Sequence, residues 1–392
     1  MFGKFKVLTT YPLLVFFIFG CQQHSPEMCS EYHYLKPDYD SVNLIQIADT
    51  VNFPLTEDVY RDIKSFNLFY KGNIPLISFY DQRSQSINIY DLSNQLLYKK
   101  IKLKKIFKKE TLYKTSVFVK NLDSIFITNE TKIGLYNTSG KQISRVNFLD
   151  DPKYAWAVFD SNKPLFLKNG KAYAIVRPNV DDQSLSALKK WKVLYEFDFE
   201  NKRCQLYYHL PGIYQDNLYG YHFLDYNYCY NNKGNIVFSF PADTVIYETN
   251  LSDLYRSYYA CSQFQREKIL PVSKEALINK NGTKEYAKRY SYGSVFFDPI
   301  RKYYLRFVKH KLTDADLLAK KRRMQTVLIF NQEFKIIGES EWNDGIDFDS
   351  LFFTADGRLY ARTNFKDDYA LHFVRLDYKF NNPSSPAELS KR

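Results

Sequence analysis

Ser116–Phe148 reads SVFVKNLDSIFITNETKIGLYNTSGKQISRVNF. Four short runs, 116–120, 124–129, 133–138 and 141–148, alternate apolar and polar residues with period two. That period belongs to a strand and not to a helix. Asn121-Leu122-Asp123 and Ser139-Gly140 separate the outer pairs. Asn, Asp and Gly tolerate the positive φ of tight hairpin turns, so each pair reads as a β-hairpin. The stretch is one four-stranded antiparallel module.

The same module recurs on both sides. A first copy covers 63–71, 75–82, 86–93 and 95–103. A third covers 164–169, 171–178, 192–199 and 204–210. A fourth covers 223–230, 235–242, 244–250 and 254–260, and a fifth covers 294–300, 302–310, 325–332 and 335–342. The sixth has only three runs, 349–354, 358–364 and 369–378, before a polar tail at 381–392. An unused apolar run, Val42–Ala48, precedes the first copy. Closing a ring of sheets removes their exposed edges. The pattern therefore predicts an all-β, six-bladed β-propeller over 42–380, with Val42–Ala48 as the missing outer strand of blade 6. The 34 tyrosines and 32 phenylalanines suit half-buried pleated surfaces.

The N-terminus carries a different signal. Met1–Lys6 has two lysines and no acid, Val7–Gly20 is mostly apolar, and Ile18-Phe19-Gly20 precedes Cys21. A charged start, a short apolar run and a small residue before cysteine form a secretory signal of lipoprotein type. We expect residues 1–20 to be removed, Cys21 to be acylated, and 21–41 to tether the propeller to the bilayer. Gln22 and the weakly charged 23–26 point to the periplasmic face of the outer membrane. No later stretch is apolar and long enough to span a bilayer. Cys29, Cys204, Cys229 and Cys261 remain; they allow three pairings or none, and we expect no structural disulfide.

Lipobox, short polar tether and six weak blades together resemble the uncharacterised propeller lipoproteins of Bacteroidota, in particular domain-of-unknown-function family 4221. The resemblance implies the propeller fold and brings neither an activity nor a site residue.

The long connections fall at one set of positions: 104–115, 150–162, 179–191, 211–222, 262–293 and 311–324. In a propeller, second-to-third and blade-to-blade connections emerge on one face, and loops on a repeat scaffold carry function. Segments 262–293 and 311–324 contain helical patterns, the latter opened by Thr313 and two acids. These insertions also carry much of the net charge of +12. Lys104, Lys105, Lys108, Lys109, Lys320, Lys321, Arg322 and Arg323 are thus expected to converge as a basic surface that attracts anions. Tyr226 and Tyr228 alternate on the first strand of blade 4 and offer flat faces for stacking. Asp344, Asp347 and Asp349 enter the innermost strand of blade 6 and could reach the channel mouth.

No local pattern supplies a catalytic triad, a zinc site, a P-loop or a dinucleotide fingerprint, and no metal or cofactor is expected. Nucleic acid is excluded as a partner by the compartment. The chain reads as a non-catalytic binding or scaffold lipoprotein taking an envelope protein, peptide or anionic glycan. The competing reading is a sugar or lactone hydrolase or lyase with a divalent cation at the channel mouth.

Overall fold

The computed structural model describes residues 31–59, 63–103, 115–129, 131–149, 155–178, 184–265, 267–342, 345–365, 367 and 369–381. Six antiparallel sheets form the ring. Blade 1 is Ile63–Lys71, Ile74–Asp81, Ser86–Asp91 and Leu97–Lys102. Blade 2 is Val117–Asn121, Ser124–Asn129, Lys132–Tyr136 and Gln142–Asn147. Blade 4 is Asn227–Tyr230, Ile236–Ser239, Val245–Thr249 and Tyr255–Tyr259, and blade 5 is Ser291–Asp298, Tyr303–Lys309, Gln325–Phe330 and Ile336–Trp342.

Blade 6 contributes Ile346–Phe353, Leu359–Thr363 and Ala370–Phe380 from the C-terminus. Its outer strand is Val42–Pro54, antiparallel to Ala370–Phe380 from Val42 opposite Phe380 to Pro54 opposite Ala370. The closure strand is longer than its apolar run because a bulge between Gln46 and Thr50 lets the pairing resume beyond Ala48. Closure also dictates residue 338. A Cβ there would sit 1.8 Å from the carbonyl oxygen of Val42, so only glycine lets the closing strand cross blade 5.

Apolar burial lies between blades. One cluster runs from blade 2 to blade 5, a second joins blades 5 and 6, a third joins blades 1 and 2, and a fourth joins blades 1 and 6. Each sheet thus buries both faces against its neighbours, so consecutive residues of its middle strands are buried, as from Leu76 to Asp81, where strict alternation would leave every second one exposed.

Two stretches depart from the expected pattern. Glu31–His33 is not free tether: it pairs parallel with Tyr255–Tyr259 as a fifth strand on blade 4. The chain then crosses to blade 5, where Asp38 N donates to Ile336 O and Tyr39 O accepts from Glu339 N. In blade 3 the innermost strand is broken in two. Ala155–Val158 and Phe166–Lys168 both pair with Lys171–Pro178, which pairs in turn with Lys192–Asp198 and Arg203–His209 beyond it. Residues 159–165 leave the sheet between them.

The helical insertions form as expected. Ser273 caps Lys274–Ile278, Gly282–Ala287 follows, and Asp314–Leu318 opens with a full capping box between Thr313 and Asp316. Among the described residues no helix is long and apolar enough to cross a membrane. Cys204, Cys229 and Cys261 are free thiols. Residues 1–30, with Cys21 and Cys29, lie outside the described residues.

Candidate functional site

The excursion in blade 3 plugs the central channel. Asp160 and Lys163 pair backbone to backbone, so Asp160-Ser161-Asn162-Lys163 forms a tight turn. Its side chains reach blades 1, 5 and 6, and the carbonyl of Pro164 just after it reaches blade 4. Asp160 Oδ1 accepts from Ser65 N, and Ser161 Oγ accepts from Phe66 N at 2.9 Å, both on blade 1. Asn162 Nδ2 donates to Ser294 Oγ on blade 5 and to Asp349 Oδ1 on blade 6, each at 3.0 Å. Ser294 Oγ also donates to Asp349 Oδ1 at 2.5 Å. Pro164 O accepts from the Tyr228 hydroxyl of blade 4.

The inner strands are shaped to meet this plug. Pairing registers shift between Lys64 and Asn67, between Tyr292 and Val295, and between Asp347 and Leu351. Bulges re-aim residues out of the ladder, and Ser65, Ser294 and Asp349 all lie inside these three. Ser65 is held at φ 55°, an unfavourable region for a serine, and its N–H is turned to Asp160.

Above the plug is a recess of about 480 Å³ lined by Lys64, Trp156, Asp160, Lys163, Arg177 and Tyr221, among others. Its residues sit where inner strands begin and second strands end, so it opens on the insertion-bearing face. Lys163 is only 6% exposed. Its Nζ lies 3.0 Å from Asp225 Oδ1, which Arg177 Nη1 also contacts. Burial alone would raise the Asp225 carboxyl, but Lys163 and Arg177 hold it below the usual carboxylate range. Arg177 also stacks over the Tyr221 ring at 5.2 Å. Asp160, at the floor, is pushed up by burial and further by Asp349. Two cations therefore share one firmly ionised carboxylate, above an acid that leans toward its neutral form.

Sequence reasoning missed this centre. Asp160-Ser161-Asn162-Lys163-Pro164 is turn chemistry in the middle of a blade's first strand, flanked by apolar residues on both sides. It was readable as an interrupted strand instead of an interblade loop.

The expected site residues fare differently. Tyr226 and Tyr228 are not open for stacking: both are 0% exposed, packed between blades 3 and 4. Tyr226 donates to Val176 O and Val193 O, and Tyr228 to Pro164 O and Tyr173 O. Arg323 is a structural residue. Its guanidinium donates to the carbonyls of Lys309, His310 and Arg289 and lies 4.7 Å over the Tyr286 ring. Lys321 pairs with Asp316 at 2.8 Å, whereas Lys320 and Arg322 are exposed. Nearby, Lys284 and Lys288 share Asp314. Acids in the same insertions thus offset part of the basic charge. Lys104, Lys105, Lys108, Lys109 and Asp344 lie outside the described residues. Asp349 does reach the channel, and Asp347 Oδ1 accepts from its backbone N–H. Among the described residues no group of three or more His, Cys, Asp or Glu is placed to hold a metal ion.

Together these features define a six-bladed β-propeller whose channel is blocked at mid-height, leaving a recess at either end. The chain belongs to the family described as domain of unknown function DUF4221, which matches residues 41–341. A crystal structure of a DUF4221 member from Bacteroides vulgatus is 20% identical, with a TM-score of 0.71 over 88% of this chain and 100% of that one. A putative exported protein from Bacteroides fragilis is 10% identical, with a TM-score of 0.50 over 89% of this chain and 99% of that one. At these identities the likeness establishes the fold alone. No curated protein matches the chain in sequence.

Proposed function

We propose that this chain is a non-catalytic binding propeller of the cell envelope. In this reading acylated Cys21 holds it in the outer membrane on the periplasmic side, and its insertion-bearing face takes an acidic partner. The observation that carries the reading is the recess above the plug, where Lys163 and Arg177 share the single carboxylate of Asp225. Lys64 at the rim adds a third cation, and Trp156 and Tyr221 add flat apolar faces. That combination suits a carboxylated sugar, with the anion on the cations and the ring on the aromatics. Exposed Lys320 and Arg322 would extend the attraction across the face.

The test is calorimetric titration with a carboxylated oligosaccharide and its neutral counterpart. Only the acidic one should bind, and its affinity should fall as salt rises. Arg177→Ala should weaken it. Equal binding of the neutral sugar, or indifference to Arg177→Ala, defeats the reading.

One observation favours an enzyme instead: Asp160 is a buried carboxyl pushed toward its protonated form at the floor of a recess. However, its Oδ1 already accepts from Ser65 N and Ser161 N. Turnover of sugars or lactones that disappears in Asp160→Asn would support that alternative.

A further inference from the structure

Below the plug, the channel widens into a second cavity of about 370 Å³. Five blades face it. Its walls include Leu68 from blade 1, Phe118 from blade 2, Tyr230 from blade 4, Phe297 from blade 5 and Phe353 from blade 6, and Pro164 of the plug lies at its closed end. It opens between the tight turns, at Tyr70, Asn232 and Pro299.

Two features set this cavity apart from ordinary core. First, Leu68, Phe118, Phe297 and Phe353 are only half-buried, although they stand on the innermost strands where neighbours such as Val117, Val295 and Phe352 are buried. Apolar surface left open at the centre of a ring marks a binding site more often than a packing fault. Secondly, among the described residues the lining contains no lysine, arginine, histidine or glutamate. Its one carboxyl, Asp160, is turned to Ser65 N and pushed toward the neutral form by burial. The polar side chains at the rim are engaged within the protein: Asn232 Nδ2 donates to Pro299 O, and the Tyr70 hydroxyl accepts from Ala355 N.

We propose that this cavity is a binding site for a small, uncharged, ring-bearing apolar molecule, held among Leu68, Phe118, Phe297 and Phe353 on the tight-turn face. The closed end and the volume fix the occupant as a small molecule, since ligand pockets run from about 300 to 1,000 Å³. With no cation among the described lining residues to pair with it, an acidic ligand is disfavoured, and the phenylalanine walls offer edge and face contacts to a flat ring. The site is distinct from the cationic recess, the two sharing only Ser65 and Asp160 at the plug, and it does not rest on the reading of that recess.

The experiment titrates the intact chain with N-phenyl-1-naphthylamine, an uncharged ring compound that fluoresces when removed from water. Saturable binding of one equivalent, unaffected by salt, is expected. Leu68→Lys or Phe353→Lys should weaken it roughly tenfold or more, because a charge without a partner is costly in an apolar cavity. Lys190→Ala, exposed in the 179–191 connection on the opposite face, should leave it unchanged. A photoreactive uncharged analogue on the unaltered chain gives a readout that needs no variant to fold: labelling should fall within 66–70, 117–121, 294–299 or 351–353. Absence of saturable binding overturns the proposal. So does binding that survives both lysine substitutions in folded protein, or labelling confined to other segments.

Discussion

Arg306 shows how a single side chain can knit two blades. It is 0% exposed and sits over the Tyr292 ring at 3.9 Å. Its guanidinium donates to Ser239 Oγ at 2.9 Å, Asp243 O at 2.7 Å, Ala260 O at 3.1 Å and Phe240 O at 3.3 Å. Burial lowers its pKa to about 10, so it remains charged at neutral pH. Arg306→Met would strand several buried acceptors, and we expect a loss of roughly 3 kcal/mol or more in urea unfolding. Arg306→Lys should recover only part, since one ammonium cannot span a planar fork's acceptors. His310 supplies a pH signature. It is packed by Phe264 and Tyr290, and burial, with Arg323 beside it, pushes its pKa down to about 4. The unfolded chain takes that proton first, near pH 6.5. His310 therefore makes stability fall as pH drops from about 6.5 to about 4. If this slope is His310's own, the melting temperature of the unaltered chain should fall relative to that of His310→Gln as pH drops through this interval, because glutamine has no proton to gain.

The plug is the element on which both recesses depend, and Asn162 ties it to blades 5 and 6 at once. Asn162→Ala should cost about 1–3 kcal/mol by leaving Ser294 and Asp349 without their shared donor. Asn162→Asp should cost more at neutral pH, because it sets a second carboxylate beside Asp349. That excess should shrink as pH falls and the pair takes up a proton; a pH-independent deficit in thermal melts would show that charge is not the cause. The plug also marks the limit of what the sequence discloses. Period-two runs separated by Asn, Asp and Gly turns are local, and they locate nearly every strand within a few residues. Blade 3 misleads because its inner strand is interrupted, and the interruption makes sense only once blades 1, 4, 5 and 6 are close enough to receive it. Tyr226 and Tyr228 mislead for a related reason. Alternation reveals that they share a face, but whether that face meets solvent or blade 3 is decided by the ring. Lys163 and Arg177 lie 14 positions apart and Asp225 comes from the next blade, so no spacing rule announces their meeting. The basic run Lys320–Arg323 is conspicuous in sequence, yet Arg323 is consumed by backbone carbonyls and Lys321 by Asp316.

At the scale of the whole molecule, stability rests on the ring being shut by a strand from the opposite terminus. Gly338 tests the fit of that strand without removing it. Gly338→Ala would drive a methyl group into Val42 O and should cost about 1–3 kcal/mol, as overpacking does. The proposed anchoring is separable from the fold: if Cys21 carries the lipid, Cys21→Ser should release the chain from the membrane fraction while leaving its melting temperature unchanged, since the closing strand begins at Val42. Truncation then separates closure from the strap that precedes it. Residues 31–41 add a short parallel strand to blade 4 and hydrogen bonds from Asp38 N to Ile336 O, from Glu339 N to Tyr39 O and from the Tyr39 hydroxyl to Cys261 O. Removing residues 1–41 forfeits these, at roughly 1 kcal/mol for each bond, but keeps every pair of the closing sheet. That chain should remain a folded monomer with a lowered melting temperature. Removing residues 1–54 is a different injury. It deletes the whole outer strand of blade 6, uncovers the edge of Ala370–Phe380, and exposes Leu376 and Tyr378, which now pack beneath Val42 and Leu44. An open apolar edge recruits other chains. The longer truncation should therefore aggregate or elute as oligomers in size-exclusion chromatography, and a stable monomer would show that the ring holds without its N-terminal strand.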